Sequence, residues 1–213
     1  MAVKIKICGI TNEEDATWAA NLGAHYLGFN FWSQSPRKVS VEMALRVVEK
    51  TPPFVLPVGV FVDHPAADIV KIVKKTRLRG VQLHGEQTPE ECGELRNSLD
   101  PSVFLCKVFR VAQAADMENA GLYTDSCQYF LLDARVEGEP GGTGQTFPWD
   151  LAKQAKSHGV PIFLAGGLTP ENVREAIKQA EPFGVDVASG VEKSPKRKDF
   201  DKLKSFIEQA KRA

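Results

Sequence analysis

Net charge is the first thing this 213-residue sequence lacks: 27 Lys and Arg are balanced by 27 Asp and Glu, and the isoelectric point lies near 6.9. A chain without excess positive charge has no broad electrostatic footprint for nucleic acid or an anionic membrane, so any cationic site must be local. No apolar run approaches the roughly 18–20 residues that span a bilayer, and the N-terminus runs into a strand with no signal-peptide core. The four cysteines, Cys8, Cys92, Cys106 and Cys127, are scattered without CxxC spacing. That spacing argues against a zinc site and gives no disulfide framework, so a soluble protein of a reducing cytoplasm is expected. Two further absences bear on architecture. The first strand is not followed by a GxGxxG turn, which weighs against a dinucleotide-binding open sheet, and no linker or low-complexity segment divides the chain. One domain over residues 1–213 is expected, a little short for an eight-unit barrel and therefore compact in its loops.

What the sequence does contain is a repeated rhythm. Short apolar runs of the kind that fill strands buried on both faces recur near residues 3–8, 26–31, 58–62, 80–84, 103–109, 129–133, 162–165 and 184–188. Between them lie amphipathic segments with helix start signals: Thr11 with Glu14, Ser40, Thr88-Pro89 with Glu91, and Asp199. Helices are expected over 13–22, 41–50, 66–76, from 89, 112–120, 149–157 and 200–212. Strands alternating with helices throughout are the signature of parallel βαβ units, and the spacing favours a (β/α)8 TIM barrel.

In such a barrel the polar residue ending each strand faces the active site. The candidates are Cys8, Arg37 in the second loop, Gln82, His84, Lys107, Asp133 and two glycine turns, Gly166-Gly167 and Ser189-Gly190. The turns close the last two strands, the place where barrels commonly bind phosphate. In the first, Thr169-Pro170-Glu171 reads as a helix start whose free N–H groups point back toward the glycines. Each turn alone equally suits an ordinary strand-to-helix connection. Cys8 reads equally as packing or as a reactive thiol, and Arg37 on its own reads as a solvated loop charge. Asp133 ends a very apolar strand with no helix to cap, which favours a site role. An acid and a base across a barrel mouth can move a proton on and off a small molecule without a cofactor.

The motifs Lys6-Ile7-Cys8-Gly9-Ile10-Thr11, Gly28-Phe29-Asn30-Phe31 with Ser33 to Arg37, Val81-Gln82-Leu83-His84-Gly85, Leu131-Leu132-Asp133, Gly141-Gly142-Thr143-Gly144, Leu164-Ala165-Gly166-Gly167-Leu168 and Asp186-Val187-Ala188-Ser189-Gly190-Val191-Glu192 occur in that order. Together they resemble the phosphoribosylanthranilate isomerases of tryptophan biosynthesis. The resemblance implies an Amadori rearrangement of N-(5-phosphoribosyl)anthranilate to 1-(2-carboxyphenylamino)-1-deoxyribulose 5-phosphate without metal or organic cofactor. It implies Cys8 as general base and Asp133 as general acid. It reassigns Arg37 to the substrate carboxylate, and it implies a phosphate site built from the backbone of Gly142, Gly144, Gly166, Gly167, Ser189 and Gly190. The partner expected is a small phosphorylated substrate, with neither nucleic acid nor membrane, and the protein is expected to be a monomer or homodimer.

One departure stands out. Phe147-Pro148-Trp149 replaces the Phe-Asp-Trp of the family, with an aspartate only at Asp150, which puts the cap of the following helix in doubt. The charged loop from Ala134 to Pro140 suits a lid that orders over substrate. The competing readings are another phosphosugar barrel and a silent barrel that only binds a phosphorylated ligand. A metal-dependent epimerase would need more strand-end ligands than His84.

Overall fold

A computed structural model describes residues 2–134 and 149–213. The expected alternation closes on itself: β1 (Lys4–Ile7), β2 (Tyr26–Asn30), β3 (Leu56–Phe61), β4 (Gly80–Leu83), β5 (Phe104–Val111), β6 (Tyr129–Ala134), β7 (Ile162–Leu164) and β8 (Gly184–Val187) pair in sequence order. The pairings are parallel, and β1 completes the circuit by pairing β8 with Lys6 opposite Asp186. The fold is a (β/α)8 TIM barrel. The strands bury both faces, because one meets the helices and the other lines the barrel interior.

Two separate apolar clusters follow from that geometry. The larger lies between strands and helices and includes Ile5, Ile7, Leu27, Phe29, Leu83, Phe130 and Leu132. The smaller fills the barrel interior with Tyr26, Val58, Cys106, Val108, Leu131, Phe163 and Ala165. Successive side chains on a strand alternate between the two, so inward positions on β1 are Lys6 and, just beyond it, Cys8. Edge-to-face aromatic contacts of Phe163 with Tyr26 and Phe183, at 5.3 and 5.5 Å, lie within this inner layer.

The helices are α1 (Glu13–Leu22), α2 (Val41–Lys50), α3 (Ala66–Thr76), α4 (Pro89–Ser98), α5 (Asp150–Ala155), α6 (Val173–Ala180) and α7 (Phe200–Lys211). Ser40, Thr88 and Asp199 cap as expected, Thr88 through a reciprocal capping box with Glu91. Elsewhere the boundaries differ. Asn12, and not Thr11, caps α1 by accepting the Asp15 N–H at 2.9 Å, while the Thr11 hydroxyl donates to the Lys196 carbonyl. The helix expected over 112–120 is replaced by two 3-10 turns, Ala114–Met117 and Ala120–Tyr123. Asp116 reaches back to the N–H groups of Ala112 and Gln113, at 2.7 and 3.0 Å, and fixes a tight turn there. The segment 149–157 is helical only as the short α5 followed by a 3-10 turn, with Asp150 as first residue. Beyond β8 the chain adds a two-stranded hairpin, β9 (Glu192–Ser194) with β10 (Arg197–Lys198), before α7. Among the described residues no helix is long and apolar enough to cross a membrane.

Candidate active site

A cavity of about 600 Å³ opens at the C-terminal mouth of the barrel. Its walls include Cys8 after β1, Arg37 from the loop after β2, Gln82 and His84 from β4 and its end, and Asp133 from β6. Gly166, Gly167, Ser189 and Gly190 complete it on the side of β7 and β8. These are inward positions by strand parity, and the parity separates one expected residue from the rest. On β5, Cys106 and Val108 point inward, so Lys107 points out. Its ammonium donates to the Gly85 carbonyl at 2.6 Å and lies over the Tyr123 ring. Lys107 therefore belongs to the wall behind the site and takes no part in the cavity.

Cys8 is partly open to the cavity, and its thiol lies in a strongly charged wall. Burial pushes its pKa up most, Lys6 opposes that, Asp186 adds to it, and Lys198 opposes it again. The net direction is upward from the ordinary 9.0. Lys6, 3% exposed, donates to Asp186 at 2.9 Å across the β1–β8 seam. Burial disfavours its charge, but the Asp186 carboxylate foremost opposes that and keeps it an ammonium. A fixed cation therefore acts on the Cys8 thiol, and it favours a thiolate once one forms.

Asp133 is buried to 9% exposure at the end of β6, with the imidazole Nε2 of His84 3.5 Å from its Oδ2. Between β1 and β6 the barrel interposes β7 and β8, so Cys8 and Asp133 approach a molecule in the cavity from different sides. Opposite Asp133 in register stands Arg110 of β5, also on the cavity wall.

Arg37 is held in a defined pose. Ser35 Oγ accepts its backbone N–H at 3.1 Å, and its guanidinium makes a two-pronged pair with Glu192, Nε to Oε1 and Nη2 to Oε2, each at 2.9 Å. That pairing uses the side-on fork of the guanidinium and leaves the end-on fork, with Nη1, for a second carboxylate. Glu192 in turn accepts from Lys198 Nζ at 3.1 Å.

The two glycine turns are packed on one another. Gly166 and Gly167 sit at φ of 82° and 64°, a region that β-carbons disfavour. A Cβ on Gly190 would lie 1.9 Å from the Leu168 carbonyl oxygen, so only glycine lets the turns after β7 and β8 meet. The helix after the first turn starts later than expected: α6 begins at Val173, after a turn in which the Thr169 carbonyl accepts the Val173 N–H at 3.1 Å, Thr169 Oγ1 accepts the Glu171 N–H at 3.3 Å and Asn172 Oδ1 accepts the Thr169 N–H at 2.8 Å. The Asn172 side chain also donates to the Gly167 carbonyl at 2.9 Å. Thr169 and Asn172 thus cap each other across the turn, and Asn172 ties it back to the glycine loop. Gly142, Gly144 and residues 135–140, where a lid was expected, lie outside the described residues.

A family profile described as N-(5'-phosphoribosyl)anthranilate (PRA) isomerase matches residues 5–209. The chain belongs to the phosphoribosylanthranilate isomerase family. It is 44% identical over 210 residues to the N-(5'-phosphoribosyl)anthranilate isomerase of Gloeothece citriformis, covering 99% of this chain and 94% of that one. The crystal structure of phosphoribosyl anthranilate isomerase from Thermotoga maritima superposes with a TM-score of 0.91 at 40% identity, covering 99% of this chain and all of the other. A phosphoribosyl anthranilate isomerase in complex with reduced 1-(o-carboxyphenylamino)-1-deoxyribulose 5-phosphate is similar at a TM-score of 0.87 and 39% identity, with 99% of this chain and 100% of that chain covered.

Within this phosphoribosylanthranilate isomerase fold, Cys8, Arg37, Asp133, Gly166, Gly167, Ser189 and Gly190 converge on one cavity, with Gln82 and His84. Sequence reasoning missed the side chains behind them. Lys6 and Asp186 were legible: each lies two residues before a site position, Cys8 and Ala188, and so shares its face. Glu192 and Lys198 gave no such signal, because their partners Arg37 and Cys8 are 155 and 190 residues away.

Proposed function

We propose that the protein catalyses the phosphoribosylanthranilate isomerase reaction, the aldose–ketose rearrangement of N-(5-phosphoribosyl)anthranilate in tryptophan biosynthesis, with Cys8 as general base and Asp133 as general acid. The observation that carries this reading is the opening of both residues onto one cavity that ends at the paired glycine turns. The backbone N–H groups of those turns suit the phosphate, and the end-on fork of Arg37 suits the anthranilate carboxylate.

Asp133, in its protonated form, gives its proton to the furanose ring oxygen as the C1–O bond breaks. The nitrogen lone pair then makes a Schiff base at C1. That imine is an electron sink, and the Cys8 thiolate removes the proton on C2, whose electrons form the C1–C2 double bond of an enolamine. Tautomerisation, a proton leaving O2 and one arriving at C1, yields the ketose. Lys6 stabilises the thiolate during these steps, and Asp186 holds Lys6 in place.

The test is turnover of freshly prepared phosphoribosylanthranilate, followed by loss of anthranilate fluorescence and by identification of the ketose. The expected result is isomerisation that persists in EDTA. Folded protein with live substrate and no ketose would overturn the assignment. Arg37→Lys is expected to raise KM about tenfold or more with a smaller effect on kcat, since a lysine cannot pair Glu192 and a second carboxylate in one plane.

A further inference from the structure

The buried ammonium of Lys198 lies behind both the proposed base and the proposed carboxylate clamp. Lys198 is 1% exposed, yet it comes from β10, a hairpin outside the barrel. Its Nζ donates to the Cys8 carbonyl at 2.6 Å, to the Ala188 carbonyl at 3.0 Å and to Glu192 Oε1 at 3.1 Å. Three acceptors around one nitrogen use the three donors of an ammonium, and a buried ammonium with fewer partners would be costly. Each acceptor belongs to a different part of the site. The Cys8 carbonyl fixes the backbone that carries the thiol, the Ala188 carbonyl fixes the start of the turn at Ser189 and Gly190, and Glu192 fixes Arg37 through its two-pronged pair.

The hairpin is itself latched to α1, so the ammonium has a rigid support. Asp15, fully buried, accepts the Lys198 N–H at 3.0 Å. Arg197 pairs with Glu14, and Thr11 donates to the Lys196 carbonyl. A surface hairpin whose task was solvation would not send a fully buried cation into the barrel mouth.

We propose that Lys198 is a positioning residue for the isomerisation: one ammonium sets the thiol of Cys8, the phosphate turn after β8 and, through Glu192, the Arg37 guanidinium in mutual register. This rests on the roles proposed above for Cys8 and Arg37. Two branches follow. The Glu192 branch leads on from Lys198 to Arg37, so it governs substrate binding; the branch to the two carbonyls governs where the base sits. Losing Glu192 is therefore felt in KM, whereas losing Lys198 is felt in both KM and kcat.

The experiment compares kcat, KM and thermal midpoint for Lys198→Met, Lys198→Arg and Glu192→Gln, with Cys8→Ala and Arg37→Met beside them. Glu192→Gln is expected to raise KM about tenfold while kcat stays within about threefold. Lys198→Met is expected to raise KM and lower kcat by about tenfold each in the folded protein. Lys198→Arg decides the case if Lys198→Met does not fold: its planar fork cannot set three donors around one point, so kcat falls although the charge is kept. Wild-type kcat and KM in a folded Lys198 variant, or an unchanged KM in Glu192→Gln, would overturn the proposal. Should Cys8→Ala retain turnover, the base assignment fails; should Cys8→Ala be dead while the Lys198 variants match wild type, the positioning role alone fails.

Discussion

In the proposed mechanism Cys8 becomes a thiolate to take a proton from carbon, yet burial and Asp186 favour its neutral thiol, while Lys6 and Lys198 favour the charge. The sign of the pH dependence follows. Because the thiol is held above its ordinary 9.0, its reactive fraction grows about tenfold per pH unit across the neutral and mildly alkaline range. Alkylation of the free enzyme by iodoacetamide should rise with that slope. It should report Cys8 selectively, since Cys92, Cys106 and Cys127 are buried. Lys6→Met removes the cation that most favours the thiolate and leaves Asp186 uncompensated, two changes of the same sign. Alkylation at about pH 8 should slow about tenfold or more, and stability should fall by about 3–5 kcal/mol in urea denaturation. Faster alkylation in that variant would contradict the electrostatic account of the site.

At the scale of elements, the turns after β7 and β8 act as one structure. In Gly190→Ala the new Cβ meets the Leu168 carbonyl, backbone that cannot rotate away, so the turns must separate. Inorganic phosphate should then inhibit less well, KM should rise, and stability should drop by about 1–3 kcal/mol; an unchanged phosphate inhibition constant would show that these turns do not hold the phosphate. The strands were legible in the sequence because each is an apolar run cut by glycine or a turn, and so were α1 to α4, with α2 and α4 following the caps expected at Ser40 and Thr88. The 112–120 segment misled because Ala-Gln-Ala-Ala is rich in helix formers. There the Asp116 carboxylate competes for the first amides, and the chain breaks into two short turns. Strand parity carried most of the cavity and would have excluded Lys107. The Glu192 and Lys198 layer was not legible, since a carboxylate and a lysine flanking a polar hairpin read as solvated charges until the hairpin folds back over β1.

For the whole molecule, the barrel separates stability from chemistry by its two ends. The aromatic layer around Phe163 lies in the interior away from the mouth, in contact with Tyr26, Tyr129 and Phe183. Phe163→Ala should cost about 3–5 kcal/mol in urea denaturation and leave kcat within about twofold at temperatures where the protein stays folded; a kcat loss larger than the stability loss explains would show that the two ends are coupled. The absence of net charge fits the same division. Arg37 and Arg110 line the cavity and Lys6 and Lys198 are buried behind it; Lys6, Arg37 and Lys198 are each paired with a carboxylate, so the buried charge around the site is matched locally.

The most direct test of the central claim, that Cys8 and Asp133 perform the proton transfers within one substrate cavity, is single-turnover conversion of phosphoribosylanthranilate by wild type, Cys8→Ala and Asp133→Asn. Affinity for reduced 1-(o-carboxyphenylamino)-1-deoxyribulose 5-phosphate is measured on the same preparations. The account predicts that both variants bind the analogue within about tenfold of wild type while the chemical step slows by about a hundredfold or more. Conversion at a near wild-type rate by either variant would contradict it.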